Sequence, residues 1–225
     1  MENKNLFSSA EGKFSFKKLT AKDKIIKSIF ETYEPFLRVL KTHKNKNLKN
    51  EKQLTQEFTI QNHTQLLKYS TSIRIHNEYS DNFYGTKGIP DFAFLPLIEG
   101  ESHEPLFIVE AKILPTPKPS KEREATEYVF YKQVKKQGGI ERFKKEKHGK
   151  GLSECGMLAF IKNENYQYWF SEINNWIDEI SLEKNTLWNK NERLLNQNLE
   201  FNYHISEVKR EKDTLKLHHF WLIVD

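Results

Sequence analysis

Three charged side chains near the middle of the sequence have the types and spacing that phosphoryl chemistry requires. Asp91 follows Pro90, and Glu110 and Lys112 stand two positions apart at the end of a later apolar run. Two carboxylates can hold Mg²⁺, which prefers oxygen ligands and keeps several waters, and a bound metal can polarise a phosphate and activate water. A neighbouring lysine can orient that water or stabilise developing negative charge. The three residues therefore predict metal-assisted phosphodiester hydrolysis.

Two short strands are predicted to position these side chains. The apolar runs 92–97 and 106–109 flank a turn-like segment, 99–105, and this arrangement is typical of adjacent strands. Because side chains alternate along a strand, Glu110 and Lys112 should point to the same side of the second strand. The alternative interpretation is a turn aspartate and a strand-end ion pair in solvent, without catalysis.

Pro90-Asp91 followed by Glu110-Ala111-Lys112 resembles the signature of the PD-(D/E)xK nuclease superfamily, and later segments are similar to those of uncharacterised bacterial members. The resemblance covers residues 51–162. It implies an α/β restriction-endonuclease-like core with a mixed central sheet flanked by helices. It also implies that Asp91, Glu110 and the main chain of Ala111 hold Mg²⁺, with Mn²⁺ as a possible substitute, and that Lys112 is catalytic.

The superfamily usually carries a further acidic residue on a helix before the first core strand. A helix is predicted over residues 51–69, and it offers Glu51 and Glu57. At about 100° per residue, Leu54 and Phe58 define the buried direction; Glu51 lies between them and Glu57 lies to one side. Glu51 is therefore the preferred catalytic candidate, although a first-turn acid that favours the helix dipole is the other interpretation.

A helix is also predicted over residues 122–137, ending at Gly138-Gly139. The superfamily often has Gln or Lys on this helix, and Gln133 is the matching candidate. Some relatives carry Tyr four residues later, where this sequence has Gln137, so the match is partial. Residues 132–147 are densely basic, and four side chains are expected to contact the nucleic-acid backbone: Lys132, Lys135, Lys136 and Arg142.

The other predicted elements complete an α/β chain of two parts. Residues 1–49 are expected to form an N-terminal helical extension, in which Pro35 kinks or divides a helix, and residues 50–225 the nuclease-like domain. Within that domain, residues 51–162 are the core and 163–225 a closing helix and strands. His218 and His219 should face opposite sides of the last strand, one in the core and one in solvent or a cleft. The remaining helices are predicted at 22–40, 140–147 and 168–182, and the remaining strands at 71–78, 155–161, 199–208 and 214–224.

Composition limits the class of protein. The chain has 225 residues, 37% of them hydrophobic and 30% charged, with a formal net charge of +5. Such a balance permits a polyanionic partner. A single cysteine, Cys155, excludes an internal disulfide and suits a reducing cytosol. No apolar stretch approaches the ~18 residues that span a bilayer, and motifs for a phosphate loop, a zinc protease or a serine hydrolase are absent. The expectation is a cytoplasmic protein without a membrane partner.

These observations lead to one preferred function and two alternatives. The preferred function is a Mg²⁺-dependent endonuclease acting on double-stranded DNA, as a restriction or anti-phage defence effector, with a homodimer or partner proteins in a defence complex. The first alternative is a non-cleaving nucleic-acid-binding or assembly module on the same fold. The second is an RNA or structure-specific nuclease, which the motif does not separate from the preferred DNA endonuclease.

Overall fold

A computed structural model describes residues 19–42, 48, 50–100, 103–117, 124–132 and 136–224. Within this part of the chain, two helices precede three strands, a helix precedes and another follows the fourth strand, and three strands close the order. The helices are α1 (Ala21–Thr42), α2 (Glu51–Leu66), α3 (Gly139–Lys144) and α4 (Tyr166–Ser181). The strands are β1 (Ile73–Asn77), β2 (Phe92–Pro96), β3 (Phe107–Leu114), β4 (Glu154–Ile161), β5 (Leu195–Asn196), β6 (Tyr203–Lys209) and β7 (Thr214–Ile223).

The strands form one mixed sheet in the order β1-β2-β3-β4-β7-β6-β5. The central strands β3, β4 and β7 run parallel to one another, and antiparallel strands continue the sheet on both sides. Strands β3 and β4 are apolar over most of their length and almost entirely buried, as expected of parallel strands covered on both faces. The predicted α/β class with a mixed central sheet flanked by helices is confirmed.

An apolar core lies on each face of the sheet. Helices α1 and α2 cover one face, where Ile29, Phe58 and Val109 belong to the same buried cluster. Helix α4 and the region around α3 cover the other face, which contains Ile108 and Ile173. Because α1 contributes to the same core as β3, the predicted N-terminal extension is, in its described part, a packed layer of the domain.

Pro35 lies inside α1 without dividing the helix. A polar contact fixes the pairing of α1 with α2, since the Asn62 amide donates to Ser28 Oγ at 3.1 Å and Thr32 Oγ1 at 2.9 Å. All three residues are buried. None of the described helices is long and apolar enough to cross a bilayer.

The helix predicted over 122–137 is wrong in the part that the structure describes. Only Ala125–Tyr128 is helical there, as a single 3₁₀ turn, and residues 129–132 and 136–138 have no helical structure. Tyr128, Val129 and Phe130 are consecutive and all buried, whereas an amphipathic helix would turn one of them to solvent. Tertiary burial therefore overrides the local helical pattern.

His218 and His219 face opposite sides of β7, as predicted, and both are buried. His218 lines a cavity of about 600 Å³, which fits the predicted cleft position, and His219 lies in the core. The His218 ring contacts Tyr203 Oη at 2.7 Å and Glu154 Oε2 at 3.0 Å. The His219 ring lies 2.8 Å from Tyr128 Oη. Hydrogen-bonding partners on each side of the sheet compensate for the loss of solvent.

Candidate functional site

The site forms where strand β2 stops pairing with β3. The antiparallel register joins Phe92 to Val109, and Asp91 immediately precedes that pair. Beyond it, the main-chain N–H of Ala111 has no strand partner on this side and donates to Asp91 Oδ2 at 2.7 Å. Since a buried N–H needs an acceptor, the end of the ladder holds Asp91 against β3.

The first turn of α2 supplies a second carboxylate at the same edge. Asn50 and Gln53 form a capping box that fixes the start of the helix. Glu51 Oε2 accepts the main-chain N–H of Ile113 at 3.2 Å, two residues beyond the contact made by Asp91. Glu57, the other acidic candidate on α2, instead accepts from Gln61 Nε2 at 2.8 Å.

Lys112 lies at the centre of this arrangement. Its Nζ donates to Glu110 Oε1 at 2.8 Å, to the Ala111 carbonyl at 2.7 Å and to Glu51 Oε1 at 3.2 Å. The side chain is only 5% exposed, and an ammonium group has three N–H donors. Each donor therefore has an acceptor, which compensates for burying the charge.

Glu110 is surrounded by nitrogen groups. Besides Lys112, the Arg142 guanidinium donates to Glu110 Oε1, and His148 Nε2 lies 3.3 Å from Glu110 Oε2. His148 is not among the residues predicted from the sequence, and Arg142 was predicted only to contact the nucleic-acid backbone. A Cβ on Gly88 would meet His148 Nδ1 at 2.5 Å, so a glycine just before Pro90-Asp91 is the available sequence signal that another chain segment packs there.

Charge and burial separate the pKa values of the three central groups. Burial, together with the nearby Glu110 carboxylate, raises the pKa of Asp91 to about 8, so a proton is retained there at neutral pH. Burial opposes ionisation of Glu110, but Lys112, His148 and Arg142 hold its pKa below the usual value. Burial likewise opposes the Lys112 charge, but the carboxylates, led by Glu110, raise its pKa.

The residues fit a hard divalent cation by the chemistry of their donors. The carboxylates of Asp91 and Glu110 and the carbonyl of Ala111 are oxygen ligands of the kind that Mg²⁺ takes. The Lys112 ammonium already lies between Glu110 and the Ala111 carbonyl, which marks this position as one that attracts positive charge. Among the described residues, however, no group of three or more His, Cys, Asp or Glu is arranged to hold a metal ion.

The basic residues predicted to contact nucleic acid do not share one environment. Arg142 contacts Glu110, and Lys136 Nζ lies 5.9 Å from the centroid of the Tyr131 ring. Lys132 is exposed, and its main-chain N–H donates to Glu124 Oε2 at 2.8 Å. Lys135 and the candidate catalytic Gln133 lie outside the described residues.

A cavity of about 210 Å³ opens beside Asp91, between α2 and the end of β1, and is lined by Lys52, Thr55, Gln56, Asn77, Glu78 and Asp91. No family model, curated protein or solved structure matches the chain. The chemistry of the site is therefore inferred from its residues. Carboxylates beside an open cavity, with a buried ammonium between two of them, can bind a cation and act on an anionic substrate.

Proposed function

We propose that the protein is a Mg²⁺-dependent endonuclease that hydrolyses DNA phosphodiester bonds on a restriction-endonuclease-like core. The observation that carries the proposal is the convergence of Glu51, Asp91, Glu110 and Lys112, from a helix start and two neighbouring strands, at one end of the β2–β3 ladder. Of these residues, Asp91 lines the cavity described above. A purely structural ion pair would need neither the extra carboxylates nor the cavity.

The roles follow from the contacts. Asp91, Glu110 and the Ala111 carbonyl would hold the metal, which when bound would neutralise phosphate charge and lower the pKa of a water. Lys112 orients the attacking water or stabilises charge on the transferring group. Glu51 positions Lys112, because its Oε1 accepts from the ammonium while its Oε2 is tied to the main chain of β3.

A non-cleaving nucleic-acid-binding module is the second candidate, and one observation favours it. Lys112, Arg142 and His148 already surround Glu110, so this carboxylate is neutralised without a metal. Such a network could serve only to hold α3 against β3. Binding of nucleic acid without hydrolysis under any metal condition would support this candidate.

The deciding experiment incubates purified protein with plasmid, single-stranded DNA and RNA, each in Mg²⁺, Mn²⁺ or EDTA. Cleavage of DNA that needs the metal, and that is lost in Asp91→Asn, is expected. Lys216→Ala is the matched control, because Lys216 is an exposed residue on β7, away from the site. Cleavage in EDTA or undiminished cleavage by Asp91→Asn would contradict the proposal, and cleavage of RNA alone would change its substrate. The defence role and its partner proteins stay predictions.

A further inference from the structure

A second cavity, of about 380 Å³, lies beside the site and has a strongly basic lining. We call it the Arg142 cavity; its lining consists of Tyr131, Lys136, Gln137, Arg142 and Lys147. Three of these five described residues are cations and none is a carboxylate. A concave surface of this charge attracts an anion, and its volume accommodates a phosphate group with part of the attached nucleotide.

Arg142 connects this cavity to the candidate catalytic centre. Its guanidinium donates to Glu110 through Nη1 and to the Gln137 carbonyl through Nε, the latter at 3.2 Å. The side chain keeps 29% of its surface exposed, whereas Glu110 keeps 1%. One group therefore contacts a buried carboxylate and also lines an open basic cavity.

The turn after Arg142 holds the cavity's cations in place. The main-chain N–H groups of Lys147 and His148 both donate to the Arg142 carbonyl, at 2.9 and 3.2 Å. These bonds fix the backbone that carries Arg142 and Lys147. Cations presented from a fixed turn lose less conformational freedom when they bind an anion than cations on a loose loop.

Gln137 gives an independent indication of an absent partner. Its amide oxygen is buried and has no hydrogen-bond partner in the described part of the chain. The oxygen and nitrogen of an amide are assigned from their surroundings. Reversing the amide would present two N–H donors, which a phosphate oxygen can accept.

We infer that the Arg142 cavity binds a phosphate group, and that Arg142 leaves Glu110 to pair with it. That this phosphate belongs to a nucleic-acid strand rests on the proposed function. A guanidinium can bind a phosphate through two parallel hydrogen bonds, and this pairing fits its planar fork better than a single contact. Lys136 and Lys147 add point charges at the rim. As Arg142 leaves, Glu110 loses one of the cations that contact it and becomes a better ligand for a metal.

The first test measures anion binding by calorimetry in EDTA, with inorganic phosphate and the 5′-phosphorylated dinucleotide pTpT as probes. Arg142→Gln should weaken pTpT binding by about tenfold or more, the scale of one lost charge-assisted pair. Lys147→Ala should weaken it by a smaller factor, and the control Lys216→Ala should not change it. Arg142→Lys keeps the charge without the fork, so it should restore only part of the affinity. Equal affinity in wild type and Arg142→Gln would overturn the inference.

The second test asks whether Glu110 and the phosphate compete for Arg142. Glu110→Gln should tighten pTpT binding several-fold when Arg142 is present and leave it unchanged in the Arg142→Gln background. Equal tightening in both backgrounds would indicate a general charge effect and would refute the release of Arg142.

If Glu110→Gln does not fold, a measurement on the wild-type protein still tests the release of Arg142 from Glu110. The ¹⁵N-detected Nε–H signal of Arg142, assigned by its loss in Arg142→Gln, should shift when pTpT is added, and an unmoved signal counts against the inference. Neither test uses a metal or cleavage. A protein that binds pTpT through Arg142 but hydrolyses nothing would therefore refute the proposed function alone.

Discussion

Two buried lysine–glutamate pairs lie in the part of the chain that the structure describes, and they differ in what surrounds them. In one, Lys144 Nζ donates to both carboxylate oxygens of Glu192, at 2.7 and 2.6 Å, and to the Lys209 carbonyl at 2.9 Å. In the other, Lys112 Nζ donates to a single oxygen of Glu110, at 2.8 Å. We call the Lys144–Glu192 pair closed, because its lysine contacts both oxygens of its glutamate. We call the Lys112–Glu110 pair shared, because other charged groups also contact it.

The surroundings explain the difference. Glu192 also accepts the main-chain N–H of Asn189 at 3.1 Å, and Lys144 Nζ lies 5.1 Å from the centroid of the Trp188 ring. Glu110, by contrast, meets Arg142 and His148 in addition to its lysine. A balanced pair needs nothing further, whereas a surplus of charges from several elements is typical of a functional site.

The pKa shifts of the two lysines have opposite directions. Burial lowers the pKa of Lys144, although Glu192 opposes this effect. Burial also opposes the Lys112 charge, but the nearby carboxylates outweigh it and raise the pKa of Lys112. Two similarly buried ammonium groups can thus be shifted in opposite directions by the number of carboxylates they face.

Asp91→Ala should have the largest effect on activity and leave the closed pair untouched. Cleavage of plasmid in Mg²⁺ should become undetectable, because a proposed metal ligand beside an open cavity is lost. The protein should still fold, but its free energy of unfolding in urea should fall by about 1–3 kcal/mol, because the buried Ala111 N–H loses its acceptor. Asp213→Ala, at an exposed aspartate, is the matched control and should cleave normally. Unchanged cleavage by Asp91→Ala would mean that Asp91 is not needed for activity, and the site around the Lys112–Glu110 pair would lose its proposed function.

Lys144→Met should have the largest effect on stability. The substitution leaves Glu192 buried without its cation, which costs about 3–5 kcal/mol in urea unfolding. Lys112→Met should cost clearly less, because Arg142 and His148 still face Glu110. If both variants lose the same free energy of unfolding, the distinction between a closed and a shared pair does not hold.

Lys112→Ala should reduce the single-turnover cleavage rate by about 10²- to 10³-fold, the size of losing one transition-state stabiliser. DNA affinity measured in Ca²⁺ should change far less, because the lost interaction is made mainly in the transition state. Lys112→Arg should rescue poorly, since a planar fork does not replace a compact charge. The folded fraction of Lys144→Met should react at the wild-type rate. A near-normal rate in Lys112→Ala would indicate that Lys112, like Lys144, has only a structural role.

The buried residue His204 tests whether the loss of stability at low pH arises outside the two lysine–glutamate pairs. Burial lowers the pKa of His204 to about 4 from 6.5. The unfolded chain therefore takes up a proton as pH falls below 6.5, whereas the folded protein does not until about pH 4. Stability is lost across that window, by about 2 kcal/mol between pH 7 and 4.5. His204→Gln should remove this part of the pH dependence in chemical unfolding, and the exposed control His76→Gln should retain it.

Lys52→Ala should have the smallest effect, although its ion pair is short. Lys52 Nζ lies 2.7 Å from Glu78 Oε1, but the two side chains are 75% and 62% exposed. Exposed pairs contribute little to stability because water screens them, so the urea midpoint should hardly move. A loss comparable to that of Lys144→Met would mean that distance, and not burial, sets the strength of these pairs.

The strands that carry the site were predictable because their signals are local. The apolar runs 92–97 and 106–109 lie on either side of a turn-like segment, and a one-residue slip would move Glu110 and Lys112 to the other face. The helical angle that favoured Glu51 over Glu57 likewise needs only the neighbouring residues. These choices required no knowledge of distant contacts.

The contacts that surround Glu110 were not predictable in the same way. His148 and Arg142 contact β3 in a region where the described residues between β3 and α3 lack the expected helix. The path of these residues depends on burying Tyr128 and Phe130 against the sheet, which a local pattern does not encode. Local patterns and the resemblance therefore selected the residues proposed to bind a metal, but not the contacts that Arg142 and His148 make with Glu110.

The parallel centre of the sheet constrains the order in which the chain can fold. Val109 pairs with Gly156, and Glu154 pairs with Lys216, so each parallel junction closes a long loop before any contact compensates for the lost entropy. Such topologies fold slowly compared with local hairpins. A fragment that ends before β7 would leave the apolar strand β4 with an open edge, and we expect it to aggregate.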